Sequence, residues 1–308
     1  MSIDLKKEIE HILGENQLKI EEPLSCHTTF KMGGKADYFA VPQSLEEIVE
    51  LIKFCNQRQV PFYILGNGSN VLVGDKGFRG VIIQIGKGMD KVEFGETTGE
   101  QTKVLAGAGV SLAKMAKMIA SKGLTGFEFA SGIPGTLGGA ITMNAGAYGG
   151  EIKDCILWAK IIDKQGQIHI IEKEDLDLGY RKSVIQKEGY IVVEAEFIFS
   201  MGVKEEIEKK MTDLNRQRVE KQPLNYPSAG STFKRPEGFF AGKLIMDAGL
   251  AGYRVGDIMV STKHCGFVVN VGAGTAKDAR QLIEDVSRIV YEKFQVKLEP
   301  EVRYLGEF

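Results

Sequence analysis

Seven of the 21 residues in the stretch SGIPGTLGGAITMNAGAYGGE (131–151) are glycine, against 37 of 308 in the whole chain. They fall in two groups, separated by the apolar run Ala140-Ile141-Thr142-Met143. Glycine loses more backbone freedom on folding than any other residue, so this density implies unusual dihedrals or backbone pressed close to something. Two structures satisfy that demand. One is a set of tight turns between strands; the other is a cradle whose bare N–H groups hold a phosphorylated cofactor. On glycine content alone the turns are the better reading, because glycine-rich signals are individually weak.

The rest of the composition narrows the class. A chain of this length makes two domains or one large one. With 43% hydrophobic and 26% charged residues it has the make-up of a globular protein with a real core. A net charge of −2 carries no electrostatic footprint for nucleic acid. Cys26, Cys55, Cys155 and Cys265 lie far apart, so neither a zinc site nor a disulfide framework is expected. The four histidines are equally scattered. The opening MSIDLKKEIEHIL mixes charges at helical spacing and lacks the apolar centre of a signal peptide. No run approaches the ~18 consecutive apolar residues of a membrane span. The expectation is a cytoplasmic protein that binds neither nucleic acid nor membrane, holds no metal, and requires no protein partner.

Along the chain, helices and strands alternate without an internal repeat. Ser44 with Glu47 forms a capping box, and Ile48, Leu51, Ile52 and Cys55 make a buried helical face. Phe62–Leu65 is a strand that runs into Gly66-Asn67-Gly68-Ser69-Asn70 and then into Val71–Val73. As a hairpin turn that loop needs no function. As a ligand loop it offers bare amides with serine and asparagine beside them. Lys103–Gly109 leads into a helix capped by Ser111, but the spacing places Leu112 where a dinucleotide fingerprint needs glycine, so no Rossmann site is expected. Strands are expected at 156–163, 167–172 and 190–199, a charged helix at 203–222, a long helix from Thr275 to Phe294, and a final strand at 298–305. Composition shifts near residue 200, where the main domain boundary is placed.

Several segments together resemble one family: YILGNGSNVLV, the glycine-rich stretch, GYRKS, SAGSTFKRP, AGKLIMDAGLAG, VSTKHCGFVVN and LEPEVRYLG. They resemble the UDP-N-acetylenolpyruvoylglucosamine reductases, flavoenzymes of bacterial peptidoglycan precursor synthesis, hence of cell wall, shape and division. The likeness runs from about residue 27 to the C-terminus in the family's order. It implies an α+β protein. Residues 1–26 would be a leading helix and lead-in, and 27–200 a vanillyl-alcohol-oxidase (PCMH-type) FAD-binding unit of two α+β subdomains, about 27–88 and 89–200. Residues 201–308 would be a smaller α+β substrate domain. Arg181 is followed almost at once by Gly189-Tyr190, too closely for the inserted segment that carries a lid tyrosine in the best-known members. The chain therefore resembles the shorter, second type.

What the resemblance implies for the site is specific. FAD, held non-covalently because no histidine ends the first loop, would contact Gly66, Asn67, Gly68, Ser69 and Asn70. From the second loop it would contact Gly132, Ile133, Pro134, Gly135, Gly138, Gly139, Asn144, Ala145 and Gly146, with Val192 beyond. NADPH would reduce it, and the nucleotide-sugar substrate, UDP-N-acetylglucosamine enolpyruvate, would leave as UDP-N-acetylmuramate. Ser231 would donate the proton. Arg181 would hold the substrate carboxylate and stabilise the charge that develops beside it, and Glu301 would act with it. Lys221, Arg218 and Arg235 would meet the diphosphate, with Lys234 close in sequence.

Each residue also has a plainer reading. Ser231 suits a turn beside Gly230, Arg181 a solvated loop, and Glu301 an ion pair with Arg303. Glu299 has the same chemistry, and only motif register selects Glu301 over it. His264 reads as a strand-end histidine. At the level of the whole chain, two alternatives stand beside the reductase: another oxidase or dehydrogenase on the same flavin fold, and a non-catalytic flavin- or nucleotide-binding protein.

Overall fold

The computed structural model describes residues 5–308, and its contacts sort the chain into two compact units. The first comprises the described residues up to Lys19, Tyr38–Gly66 and Val81–Gln217; the second comprises Ile20–Asp37, Asn67–Gly80 and Arg218–Phe308. This division is interleaved, whereas the expected boundary near residue 200 is sequential. The physical reason lies in the cores. Ile207 and Met211, beyond that boundary, are buried in the first core, while Phe30, Met32 and Leu72, well before it, are buried in the second.

In the first unit an antiparallel sheet runs in the order Ile168–Glu172, Ile156–Ile162, Ile191–Met201, Gln101–Gly107, Val92–Thr98. Alternation of buried and half-buried residues along Ile191–Met201 marks a strand with one face on the core. Phe127, Phe129, Phe197 and Phe199 fill that core as edge-on and stacked pairs at 5.4–6.1 Å between ring centroids. The helix Leu45–Arg58 opens on Ser44, whose hydroxyl accepts from the Glu47 amide. The expected reciprocal bond is displaced by one residue: the Glu47 carboxylate takes the Gln43 amide (2.6 Å). Helix Leu112–Ser121 is capped by Ser111 as its sequence requires.

The second unit is built on a four-stranded sheet in the order Ser228–Ser231, Phe267–Asn270, Ile258–Val260, Arg254–Val255. Helix Ala276–Phe294 buries Ala276, Ala279, Leu282, Ile283, Val286 and Val290 in its core. The first amides of that helix are all satisfied. Thr275 and Asp278 form a reciprocal capping box, and the Asp75 carboxylate accepts from Ala276 (2.8 Å) and Lys277 (2.9 Å).

Two expectations change here. The strands flanking Gly66–Asn70 do not form a hairpin. Phe62–Leu65 pairs in parallel with Val81–Gln84, and Val71–Val73 pairs in parallel with Arg303–Leu305. The final strand is also shorter than 298–305: Pro300 bridges Phe233, and the chain pairs with Val71–Val73 only from Arg303 to Leu305.

Candidate active site

Within the second unit, three segments far apart in sequence meet at the loop Asn67–Asn70. Gly68 has φ +58°, and a Cβ there would lie 2.2 Å from the His27 carbonyl oxygen, so only glycine fits. The amide of Thr29 donates to the Gly68 carbonyl (3.2 Å). Asn70 Nδ2 donates to the Glu301 carbonyl (3.1 Å), and the Arg303 amide donates to the Asn70 carbonyl (3.0 Å). Glu301 in turn donates its amide to the carbonyl of Thr232 (2.8 Å), the residue after Ser231.

Ser231 itself ends strand Ser228–Ser231 beyond Gly230, which has φ +77° and breaks the register with Phe267–Asn270. A Cβ on Gly230 would sit 4.0 Å from the Ser69 carbonyl oxygen. Bonds of Asn70 and Thr232 to the 301–303 segment thus bring the Asn70, Ser231 and Glu301 backbones near one another, with Ser231 exposed. The Glu299 carboxylate is ion-paired with Lys234.

The cations of this unit are spread more widely. Lys221 ends helix Lys204–Lys221 and is exposed, and Arg218 lies one turn before it. Lys263 Nζ donates to the Val219 carbonyl at the same helix end (2.7 Å). The Arg235 guanidinium stacks 3.9 Å from the centroid of exposed Phe240. His264 accepts the Gly266 amide at Nδ1 (3.1 Å) and meets Phe267 edge-on. It keeps an exposed edge, while the protein packed around the rest lowers its pKa by desolvation.

Within the first unit the glycine-rich stretch is neither a plain set of turns nor an open loop. Leu137–Thr142 is a short helix, stitched to the segment after strand Gln101–Gly107. Leu112 donates to Gly135, Leu137 to Val110, and Gly138 to Ala108 (2.8–3.1 Å). A Cβ on Gly138 would meet Ala108 Cβ at 3.0 Å and the Val192 carbonyl oxygen at 3.6 Å, and one on Gly66 would lie 2.2 Å from Thr136 Oγ1. These approaches need glycine for packing. Among the described residues, the amides of Gly132, Gly135 and Thr136 have no backbone acceptor, and the buried Ser131 hydroxyl has no partner at all. Clustered bare N–H groups beside an orphaned hydroxyl fit the oxygens of a pyrophosphate. FAD is such a group, so these residues suit it. Ser131 escaped sequence reading because serine before glycine is common in turns.

The far end of the stretch is used differently. Asn144 is 1 % exposed, and its side-chain amide is spent on Glu151, Gly179 and Lys153. Ala145 is buried, its amide bonded to the Ala140 carbonyl, and Gly146 pairs with Glu151 in a small hairpin. Arg181 is in this unit too, at φ +54°, with its guanidinium carbon 5.3 Å from the Tyr180 ring centroid. From Arg181 the chain reaches strand Ile191–Met201 through the five-residue helix Val184–Glu188, capped by Ser183. No inserted lid segment has room there.

Comparison with known proteins agrees with this architecture. A family model described as the UDP-N-acetylenolpyruvoylglucosamine reductase C-terminal domain matches residues 222–305, and one described as an FAD binding domain matches 36–172. The chain is 56% identical to the UDP-N-acetylenolpyruvoylglucosamine reductase of Lachnoclostridium phytofermentans, covering 98% of this chain and 97% of that one. It is 50% identical to the reductase of Agathobacter rectalis, covering 98% of each. Among solved structures it is similar to the reductase of Thermus caldophilus, at 34% identity and a TM-score of 0.78, over 94% of this chain and 98% of that one. Likeness of this identity over nearly the full length means that the chain belongs to the UDP-N-acetylenolpyruvoylglucosamine reductase family.

Proposed function

We propose that this protein reduces UDP-N-acetylglucosamine enolpyruvate to UDP-N-acetylmuramate, with NADPH as reductant and FAD as carrier. The observation that carries this reading is identity of 56% over almost the entire length to a reductase of that name. The protein acts in the cytoplasm without an obligatory partner; no helix among the described residues is long and apolar enough to cross a membrane.

FAD, when bound, would supply the two-electron chemistry that links NADPH to the enol ether. The loop Gly66–Asn70 and the residues Gly132, Ile133, Pro134, Gly135, Gly138, Gly139, Ala145, Gly146 and Val192 hold it. The bare amides of Gly132 and Gly135, together with the Ser131 hydroxyl, would supply hydrogen bonds to its phosphate oxygens.

Saturating the enol ether needs a hydride at the terminal carbon and a proton at the carbon bearing the carboxylate. The second delivery falls to this chain. Ser231 gives its hydroxyl proton to that carbon and regains one from solvent at its exposed end. Charge that builds on the carboxylate side is met by the Arg181 guanidinium, whose planar fork suits two oxygens at once. Glu301, tied by its backbone to Thr232 and Asn70, sits with Ser231 and completes the acid side of the site. Lys221, Arg218 and Arg235 neutralise the diphosphate.

Turnover in D2O tests this reading. NADPH oxidation should depend on the enolpyruvyl nucleotide, and the product should gain one deuterium at the carbon bearing the carboxylate. NADPH oxidation indifferent to that nucleotide would rule the activity out.

A further inference from the structure

Ser131 is not the only buried hydroxyl left without a partner. Among the described residues, the buried side-chain atoms that make no hydrogen bond are the amide oxygens of Gln186 and Gln222 and the hydroxyls of Ser131 and Thr28. An amide oxygen can trade places with its nitrogen by a half-turn of the side chain. A hydroxyl rotates to suit any acceptor within reach, so one without a partner is short of acceptors. Thr28 is 6 % exposed and belongs to the second unit, with the loop 67–70.

The two are in contact. A Cβ on Gly68 would fall 2.9 Å from Thr28 Cα and 2.2 Å from the carbonyl oxygen of His27. Residues on both sides of Thr28 are tied down. The His27 amide donates to the Leu24 carbonyl (2.9 Å), the Thr29 amide to the Gly68 carbonyl (3.2 Å), and the Thr29 hydroxyl to the Ser228 carbonyl (2.6 Å). The Lys31 amide donates to the Thr28 carbonyl (3.3 Å), which uses the acceptor of Thr28 and neither of its donors. The Thr28 amide, like those of Gly68 and Ser69, has no backbone acceptor among the described residues. A buried hydroxyl and three main-chain N–H groups are thus grouped about one close contact, all unspent.

Donors without acceptors suit a ligand that brings oxygens and negative charge. We infer that Thr28 is a binding residue for FAD, giving its hydroxyl to an oxygen of the cofactor's pyrophosphate. The inference rests on the proposed role of residues 66–70 in holding FAD. A hydroxyl donated to an anionic oxygen makes a charge-assisted bond, about twice as strong as one between neutral groups. Thr28 gives up no bond within the fold to make it.

The test removes the hydroxyl and keeps the shape. Purified Thr28→Val holoenzyme is diluted while flavin fluorescence reports released FAD. Its Kd should lie about 10- to 100-fold above that of the unaltered protein, the range for one hydrogen bond to a charged group. Thr28→Ser, which keeps the donor, should retain FAD nearly as the unaltered protein does. The phosphorus NMR resonances of bound FAD should move in Thr28→Val and stay in Thr28→Ser. The flavin-free full-length chain should melt no lower in Thr28→Val, while the rise in melting temperature on adding FAD should shrink. An unchanged Kd or unmoved phosphorus resonances would overturn the inference. A flavin-free Thr28→Val chain that melts lower would assign the hydroxyl to the fold and overturn it too. So would normal FAD retention with a raised KM for the enolpyruvyl nucleotide, which places the hydroxyl on the substrate. If Thr28→Val does not fold, Thr28→Ala removes the same hydroxyl with less bulk and answers the same measurements. An unaltered protein that carries no flavin would end the cofactor reading, and this inference with it. A flavin-bearing protein whose Thr28→Val variant binds FAD equally well overturns this inference alone.

Discussion

Gly230, at φ +77°, lies where the register shifts, so that Ser231, still paired with Phe267, ends the strand exposed. The backbone of Glu301 is bonded to the very next residue, Thr232 (2.8 Å). Ser231→Ala removes one oxygen from that end and nothing from the core. Reduction of the flavin by NADPH should therefore stay near normal, while reoxidation by substrate should slow by roughly 10²–10⁴-fold, the range for loss of a positioned acid. Rapid-mixing traces of the two half-reactions check this, and equal slowing of both would mark Ser231 as structural. At this scale the sequence was partly legible. Spacing left Glu299 and Glu301 equivalent, and motif register alone separated them; in the fold the Glu299 carboxylate pairs with Lys234. Asn144 was misleading, since an asparagine among glycines suggests a ligand loop, while its side chain is spent inside the protein.

At the scale of elements, caps and apolar stripes read well because both are local. Ser111 and Thr275 cap the helices their spacing announces. Asp75 adds something no spacing reveals, holding two amides of a helix that begins 201 residues later in sequence. Asp75→Ala should destabilise the protein by about 0.5–2 kcal/mol, as loss of a helix cap does, measured by urea unfolding. A change within error would mean that the Thr275–Asp278 box suffices alone.

Glu128 offers a pH-dependent counterpart. Its carboxylate is 3 % exposed and accepts from Thr125 Oγ1 (2.6 Å), the Gly126 amide (3.2 Å) and Lys210 Nζ (3.2 Å). Burial raises its pKa, but those bonds together outweigh burial and hold it below the ordinary 4.5. A depressed carboxyl stabilises the fold above its unfolded pKa and loses that contribution as pH falls through the folded value. Glu128→Gln should thus lower the melting temperature clearly at pH 7 and progressively less below pH 4.5. A gap that stays constant with pH would show that packing, not charge, is what Glu128 contributes. The element-scale failures share one cause. The strands either side of Gly66–Asn70 look like a hairpin, but each finds its partner far away in sequence. Helix Val184–Glu188, at five residues, is too short to leave a periodic trace.

For the molecule as a whole, composition and periodicity reach a mixed α/β chain with a real core and stop there. The two cores interleave along the chain, so no shift in composition near residue 200 could locate them. Function is less legible still. Bare amides at Gly132 and Gly135 fit any pyrophosphate, and it is family membership that names the flavin and the nucleotide sugar. The alternative of a general oxidase on the same fold leaves Ser231, Glu301 and Arg181 without a task. One measurement separates the two directly. Protein reduced anaerobically by NADPH is mixed in the stopped flow either with UDP-N-acetylglucosamine enolpyruvate or with dioxygen, and flavin absorbance is followed. Reoxidation by the enolpyruvyl nucleotide should be far faster than by dioxygen and yield UDP-N-acetylmuramate. Rapid reoxidation by dioxygen, with no response to the nucleotide, would contradict the account.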